Sequence, residues 1–150
     1  MNPHEVLALD PSEGDVAPEY TVGPITRTDI VKYAGASGDF TRLHHDESAA
    51  RDAGFSGVFA MGMLSAGVLG HFVGDWLGYS RIREYDVRFI DAVWPGETLV
   101  CHGAVTDRYT RNGETQVDCD LEVTDQDGTT KTIGEAIACL DDPVKLPDGP

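Results

Sequence analysis

Three acidic and two histidine residues lie within one short segment, SGDFTRLHHDE at residues 37–47. Asp39 and His44 are the pair of interest, because a carboxylate and an imidazole that face the same point can hold a water molecule and exchange protons with it. Each also has a plain structural interpretation: Asp39 would cap the turn that follows it, and His44 would lie at the surface. The choice between the catalytic and the structural interpretation depends on the secondary structure around the segment and on a longer sequence pattern.

Short helices are predicted on both sides of this segment. Residues 26–38, TRTDIVKYAGASG, are typical of a helix, with Thr28 as its expected N-cap and Gly38 as its expected end. Residues 46–54, DESAARDAG, predict a second short helix that is capped by Asp46 and ended by Gly54. Asp39 and His44 therefore fall in the connection between two helices.

The segment FAMGMLSAGVLGHFVGDWLG at residues 59–78 lacks proline and is apolar on most sides, which predicts a long, buried helix. Four glycines recur along it at spacings of three or four residues and would form one stripe: Gly67, Gly70, Gly74 and Gly78. Each costs about 1 kcal/mol of helix propensity relative to alanine. We therefore expect a curved sheet, with the helix against its concave face, to approach this stripe closely.

Four segments with alternating apolar residues follow and predict strands: residues 80–93, 97–110, 114–125 and 129–140. Asn112–Gly113 and Asp127–Gly128 are typical of tight hairpin turns, and residues 19–25 indicate one further short strand. The chain is therefore expected to form a single α+β domain, in which an antiparallel sheet wraps the long helix. Residues 1–19 are expected to form an N-terminal arm, residues 20–141 the domain, and residues 142–150 a C-terminal tail.

The composition argues against several classes of function. A formal net charge of −15 disfavours nucleic acid as a partner, because phosphates would be repelled. With 17 Asp against 3 Lys, the surface is typical either of a salt-loving source or of an acid-rich protein from a high-GC organism. Three widely spaced cysteines predict reduced, packed thiols, with no metal or disulfide role, and no cofactor is expected.

The sequence also favours a protein that does not enter a membrane. Its N-terminus has no basic region followed by an apolar run, so we expect no signal peptide and a cytoplasmic location. The longest apolar stretch, residues 58–79, is interrupted by five glycines, His71 and Asp75, and is a poor membrane span.

Residues 33–64, YAGASGDFTRLHHDESAARDAGFSGVFAMGML, resemble the MaoC-like family of (R)-specific enoyl-CoA hydratases and 3-hydroxyacyl dehydratases, which have the hotdog fold. The family pattern runs S-G-D-x-N-P-[IL]-H-x-D, then A-x-x-x-G-F, then A-H-G-M-L at the start of the long helix. The matching residues are Ser37, Gly38, Asp39, Leu43, His44, Asp46, Ala50, Gly54, Phe55, Ala60, Gly62, Met63 and Leu64. Three residues depart from the pattern: Thr41 stands in place of Asn, Arg42 in place of Pro, and Met61 in place of His.

The resemblance implies hydration of trans-2-enoyl-CoA to (R)-3-hydroxyacyl-CoA, and the reverse dehydration. Asp39 would take a proton from a water molecule that His44 orients. The backbone N–H of Gly62 would meet the thioester oxygen, and the hydroxyl of Thr41 would help to orient the thioester. Arg42 is a candidate to contact a phosphate of CoA, and a solvated surface charge is the equally good alternative. Four apolar residues are candidates for the acyl pocket, with core packing as the simpler interpretation of each: Phe59, Met61, Val68 and Phe72.

Two other functions stay open on the sequence alone. A hotdog acyl-CoA thioesterase would use a carboxylate on the long helix, where Asp75 is the only acid. A non-catalytic partner subunit of a heterodimeric dehydratase would commonly lack the Asp39–His44 pair.

The resemblance also implies a partner and a substrate carrier. Hotdog chains pair across a twofold axis, so we expect a homodimer with the active site at its interface. The carrier is expected to be CoA rather than acyl carrier protein, because the carrier protein is itself acidic and would be repelled unless salt screened the charges. The acyl chain length and the pathway, whether polyhydroxyalkanoate supply or fatty-acid turnover, stay open.

Overall fold

The structure is a computed structural model that describes residues 7–144. Its helices are α1 (Arg27–Ser37), α2 (Glu47–Asp52) and α3 (Gly62–Leu77). Its strands are β1 (Tyr20–Val22), β2 (Ile82–Phe89), β3 (Leu99–Arg111), β4 (Glu114–Thr124) and β5 (Thr130–Cys139). Short 3₁₀ turns at Arg42–His44 and Tyr79–Arg81 precede α2 and β2. The predicted order of helices and strands is confirmed.

One antiparallel sheet, in the order β1-β3-β4-β5-β2, lies against α3. Asn112 (φ 54°) and Gly113 (φ 83°) form the turn between β3 and β4, and Gly128 (φ 84°) lies in the turn before β5. These left-handed conformations are the ones that the predicted hairpin dipeptides favour. The prediction of an α+β domain, with a long helix packed on an antiparallel sheet, is confirmed.

The core fills the space between α3 and the sheet. Leu69, Phe72 and Trp76 of α3 are at most 2% exposed. Gly103 of β3 lets the helix approach, because a Cβ there would lie only 2.8 Å from the ring of Trp76 and 3.1 Å from that of Phe72. Large side chains on the helix are thus accommodated by a glycine in a strand.

The predicted glycine stripe of α3 does not face the sheet as a whole, so that expectation is wrong. Only Gly70 faces a strand, where a Cβ would lie 3.5 Å from Tyr85 of β2, and Gly74 lies against the turn that follows the helix. A Cβ on Gly67 would meet nothing within 4 Å. Gly78 lies beyond the last helical residue and has a φ of 94°. The bulky residues of α3, which lie between these glycines along the helix, make the close contacts with the sheet.

The start of α1 also differs from the prediction. Thr26, rather than Thr28, is the N-cap: its hydroxyl accepts the N–H of Asp29 at 3.1 Å, and Asp29 accepts the N–H of Thr26 at 2.9 Å. This reciprocal arrangement is a capping box, which pairs two N–H groups at the helix start. Thr28 has the same hydroxyl, but the residue three positions later is Val31, which cannot complete the box. Gly38 ends the helix with a φ of 75°, as predicted.

Residues 7–19, which belong to the predicted arm, lie against the domain. The N–H of Ala8 donates to the carbonyl of Trp76 at 2.8 Å, and the guanidinium of Arg81 donates to the carbonyl of Leu9 at 3.0 Å. Val16 forms a bridge with β3. Residues 1–6 of the predicted arm and residues 145–150 of the predicted tail lie outside the described residues.

Two predictions from composition are tested by the structure. Cys101, Cys119 and Cys139 are buried free thiols, as predicted. Burial raises the pKa of Cys101 and of Cys119 to about 12, so both stay protonated near neutral pH. Between residues 7 and 144, no helix is both long enough and apolar enough to cross a membrane.

Candidate active site

Asp39 lies directly after the residue that ends α1, and its carboxylate is held by Thr41. Oδ1 of Asp39 accepts the hydroxyl of Thr41 at 2.7 Å and the N–H of Thr41 at 3.1 Å. These two hydrogen bonds, the hydroxyl first, lower the pKa of Asp39 below its ordinary value. Asp39 is therefore ionised near neutral pH, and Oδ2 takes no part in these two hydrogen bonds.

His44 is fixed by a backbone carbonyl that is fifteen residues away in the sequence. Nδ1 of His44 lies 2.7 Å from the carbonyl oxygen of Phe59, and the two rings meet edge to face with centroids 5.1 Å apart. Because a carbonyl oxygen can only accept, Nδ1 must carry the proton. In the neutral imidazole, Nε2 then has a free lone pair and can accept a hydrogen bond from water.

Asp39 and His44 interact electrostatically, although no hydrogen bond joins them in the described structure. The charge of His44 contributes to lowering the pKa of Asp39, after the larger effect of Thr41. Both residues are half-buried, whereas His45 is exposed, as predicted. Asp46 is the N-cap of α2 and accepts the N–H of Ala49 at 3.1 Å, which confirms its predicted role. Of these four side chains, Asp39 and His44 are the two that stay candidates for holding a shared water.

The two departures from the family pattern in this loop have definite contacts. The hydroxyl of Thr41 donates to Asp39, so in this structure it is directed at the carboxylate rather than at a substrate. Arg42 pairs with Asp46 at 2.6 Å, and its side chain is 71% exposed. Arg42, which was predicted to contact a phosphate, is therefore a surface residue whose charge is partly neutralised by the carboxylate of Asp46.

Gly62 is the first residue of α3, where backbone N–H groups have no partner within the helix. A Cβ on Gly62 would lie 2.9 Å from two ring atoms of Phe89, which belongs to β2. Glycine is therefore needed for close packing between the start of α3 and the edge of the sheet. The helix dipole makes this end of α3 favourable for negative charge.

The four predicted acyl-pocket residues do not share one surface. A cavity of about 560 Å³ lies between α1 and α3 and is lined by Val68, together with Ile25, Tyr33 and Leu64 among others. Met61 and Phe72 are each 2% exposed and belong to the core. Phe59 packs instead between the rings of Phe55 and Trp94, at centroid distances of 4.5 and 5.6 Å.

Sequence reasoning missed most of the residues that line this cavity. Ile25 and Tyr33 come from the loop before α1 and from α1 itself, while Leu64 belongs to the first turn of α3. Their apolar character was visible in the sequence. What was not visible is that residues of α1 and of α3 line the same cavity, because these segments are about thirty residues apart in the sequence.

A second cavity of about 650 Å³ lies on the opposite face of the sheet, away from α3. Its lining has four acids, Asp86, Asp120, Glu122 and Glu135, against one arginine, Arg88, and one histidine, His102, so its net negative charge disfavours an anionic thioester. Within residues 7–144, no group of three or more His, Cys, Asp and Glu side chains is arranged to hold a metal ion.

Comparison with known proteins identifies the family to which this chain belongs. The model of the MaoC-like domain family matches residues 13–127. The chain therefore belongs to the MaoC-like domain family, and its fold is the hotdog fold.

Individual relatives agree with this assignment. A curated relative, the probable enoyl-CoA hydratase 2 of Dictyostelium discoideum, is 35% identical over 91 residues. The match covers 57% of this chain, and the chain spans only 30% of that protein's length.

Solved structures match over a greater share of the chain. The R-hydratase PhaJ1 from Pseudomonas aeruginosa superposes with a TM-score of 0.76 at 26% identity, and the match covers 93% of this chain and 90% of that one. A chain of the ChsH1–ChsH2 complex from Mycobacterium tuberculosis gives a TM-score of 0.72 at 24% identity, covering 85% of this chain and 96% of that one. At that identity, the second likeness concerns the fold alone.

Proposed function

We propose that this protein is a hydro-lyase that adds water to trans-2-enoyl-CoA and yields (R)-3-hydroxyacyl-CoA, with the dehydration as the reverse reaction. The observation that carries the proposal is the 2.7 Å contact between Nδ1 of His44 and the carbonyl of Phe59. It leaves Nε2 as an acceptor beside a carboxylate that Thr41 keeps ionised. Membership of the MaoC-like family and the match to the R-hydratase PhaJ1 support this choice of reaction.

In the proposed mechanism, one water molecule lies between the two side chains. Its hydrogens face Oδ2 of Asp39 and Nε2 of His44, which turns the oxygen lone pair towards C3 of the enoyl thioester. As the new C3–O bond forms, one water O–H bond breaks and Asp39 takes the proton. A proton returned by the same pair to C2 completes a syn addition, so no atom or electron is left unbalanced.

The start of α3 is proposed to stabilise the oxygen of the thioester. Negative charge develops there when C3 is attacked, and the N–H of Gly62 is the proposed donor. Backbone donors aimed at such a charge are worth about 3 kcal/mol in transition-state free energy. The cavity between α1 and α3 is proposed to hold the acyl chain, since Leu64 and Val68 line it within two turns of Gly62.

The active unit is proposed to be a homodimer that acts on CoA thioesters. Strand β2 is at one end of the sheet order, so one of its edges is left unpaired within the described chain. Apolar residues next to this edge are exposed, with Phe89 at 48%, Ile90 at 49% and Met63 at 56%. A second copy could cover them. The charge of −15 favours CoA over an acidic carrier protein, because repulsion between two acidic proteins slows their association.

The test is loss of enoyl absorbance when the protein is added to crotonyl-CoA, at low and high salt. Asp39→Asn and His44→Ala are each expected to lower kcat by at least a hundredfold, because each removes a group that the water needs. His45→Ala, which alters the neighbouring exposed imidazole, is the matched control and should keep wild-type activity.

Three outcomes would refute the proposal. Unchanged activity in Asp39→Asn would show that the water is held elsewhere. Release of free CoA without hydration would instead indicate a thioesterase. Inactivity of the wild type towards short and long enoyl-CoA at every salt concentration would favour a partner subunit that needs a second chain.

A further inference from the structure

Lys131 is one of only three lysines in the chain, and its side chain is 3% exposed. Its Nζ lies 3.0 Å from Glu97, 3.4 Å from Asp91 and 3.4 Å from Asp125, and it donates to the carbonyl of Ala92 at 3.0 Å. Burial opposes the charge on Lys131, but Glu97 and Asp91 outweigh it, and the pKa of the ammonium is raised. Lys131 is therefore a buried cation on which several carboxylates depend.

These contacts fix the loop between β2 and β3 to strand β5. The backbone carbonyl of Lys131 accepts the N–H of Ile90 at 2.9 Å and that of Asp91 at 3.2 Å. At the other end of the loop, Oε1 of Glu97 faces Lys131 while Oε2 accepts the N–H of Trp94 at 2.9 Å. Main-chain and side-chain bonds from one residue thus hold both ends of the loop.

The same loop holds the segment that orients His44. The carbonyl of Val93 accepts the N–H of Ala60 at 2.8 Å, and the ring of Trp94 packs edge to face on Phe59. The carbonyl of Phe59 in turn accepts the Nδ1 proton of His44. An unbroken series of contacts therefore runs from Lys131, through Glu97 and the loop, to the imidazole.

We propose that Lys131 is a positioning residue for the candidate active site: it fixes the loop at residues 90–97, and thereby the Phe59 carbonyl that selects the tautomer and orientation of His44. This role of Lys131 in catalysis rests on the hydratase function proposed above. Without the ammonium, Glu97, Asp91 and Asp125 are left as neighbouring carboxylates with no buried cation, and their repulsion displaces the loop. Phe59 then moves, and Nδ1 of His44 loses a fixed acceptor.

Three variants separate positioning from general stability. Lys131→Met removes the charge and keeps the length of the side chain, while Lys131→Arg keeps the charge. Arg81→Met is the matched control, because Arg81 is also buried and bonded to backbone carbonyls, but those belong to Leu9 and Asp142 and not to the loop.

The first readout does not depend on activity. A long-range ¹H–¹⁵N NMR spectrum, recorded where the histidines are neutral, reports which nitrogen of His44 carries the proton, and His44→Ala identifies its signals. The wild type and Arg81→Met are expected to show the Nδ1–H form, and Lys131→Met a mixture with the Nε2–H form. The second readout is the kinetics of enoyl-CoA hydration, where kcat of Lys131→Met should fall by roughly tenfold or more with KM changed less than about threefold. Lys131→Arg should recover most of the rate.

An unchanged His44 tautomer in folded Lys131→Met would overturn the proposal, as would an equal loss of kcat in Arg81→Met. If Lys131→Met does not fold, Glu97→Gln is measured in its place, because it weakens the link from Lys131 to the N–H of Trp94 while keeping the side-chain shape. If the wild type hydrates no enoyl-CoA, the proposed function fails, and the tautomer measurement still decides the role of Lys131.

Discussion

Substitution of Gly62 by alanine tests whether the start of α3 positions the thioester. The new Cβ would lie 2.9 Å from the ring of Phe89. Carbon atoms are at their best separation near 3.5 Å, so the ring or the start of the helix has to move by about 0.6 Å. A misplacement of about 1 Å can cost a hundredfold in rate, and about tenfold in kcat is therefore expected for Gly62→Ala.

Gly67→Ala is the matched control, because Gly67 belongs to the same helix and a Cβ there meets nothing within 4 Å. It should leave kcat unchanged and raise the free energy of unfolding by up to about 1 kcal/mol, since alanine is the better helix former. Both variants are measured by thermal unfolding and by hydration of crotonyl-CoA.

A second substitution shows whether the loss arises from the collision. Phe89→Ala, combined with Gly62→Ala, removes the ring and should restore part of kcat relative to Gly62→Ala alone. If Gly62→Ala retains full kcat and gains the stability that Gly67→Ala gains, the start of α3 does not position the reacting group, and the reasoning is refuted.

Two further predictions concern carboxylates at known positions. Thr41 lowers the pKa of Asp39 through its hydroxyl and its N–H. Thr41→Val removes the hydroxyl, so the pKa of Asp39 should rise. Because Asp39 accepts a proton only when ionised, the acidic limb of kcat/KM against pH should then move to higher pH. Thr41→Ser should keep the wild-type limb, and a limb that does not move in Thr41→Val would contradict the assignment of Asp39 as the base. On the outer face of the sheet, Glu135 is directly opposite both Asp120 and Asp86 in neighbouring strands. Glu135→Gln should therefore raise the free energy of unfolding by about 0.5 kcal/mol at low salt, measured by urea denaturation. The gain should vanish near 1 M salt, where charges are screened within about 3 Å. A gain that does not depend on salt would argue against charge repulsion.

The parts of the fold that were predictable depend on neighbours in the sequence. Asn112–Gly113 specifies a hairpin because both residues adopt positive φ, and Asp46 caps α2 through a hydrogen bond to a residue only three positions away. The failure at α1 was of the same local kind. Thr26 and Thr28 both have a capping hydroxyl, and the acid at Asp29 decides for Thr26.

Asp39 and His44 could be singled out from the sequence, because they lie five positions apart in one loop and within a pattern typical of a family. Their joint action on a water stays a prediction. Only the tertiary structure decided how His44 is oriented, because its Nδ1 meets the carbonyl of Phe59, and the ring of Phe59 packs in turn on that of the distant Trp94. Hydrogen bonds between close neighbours follow from residue type and spacing. The orientation of a side chain by a distant backbone carbonyl depends instead on how whole elements pack, and no short stretch of sequence contains that information.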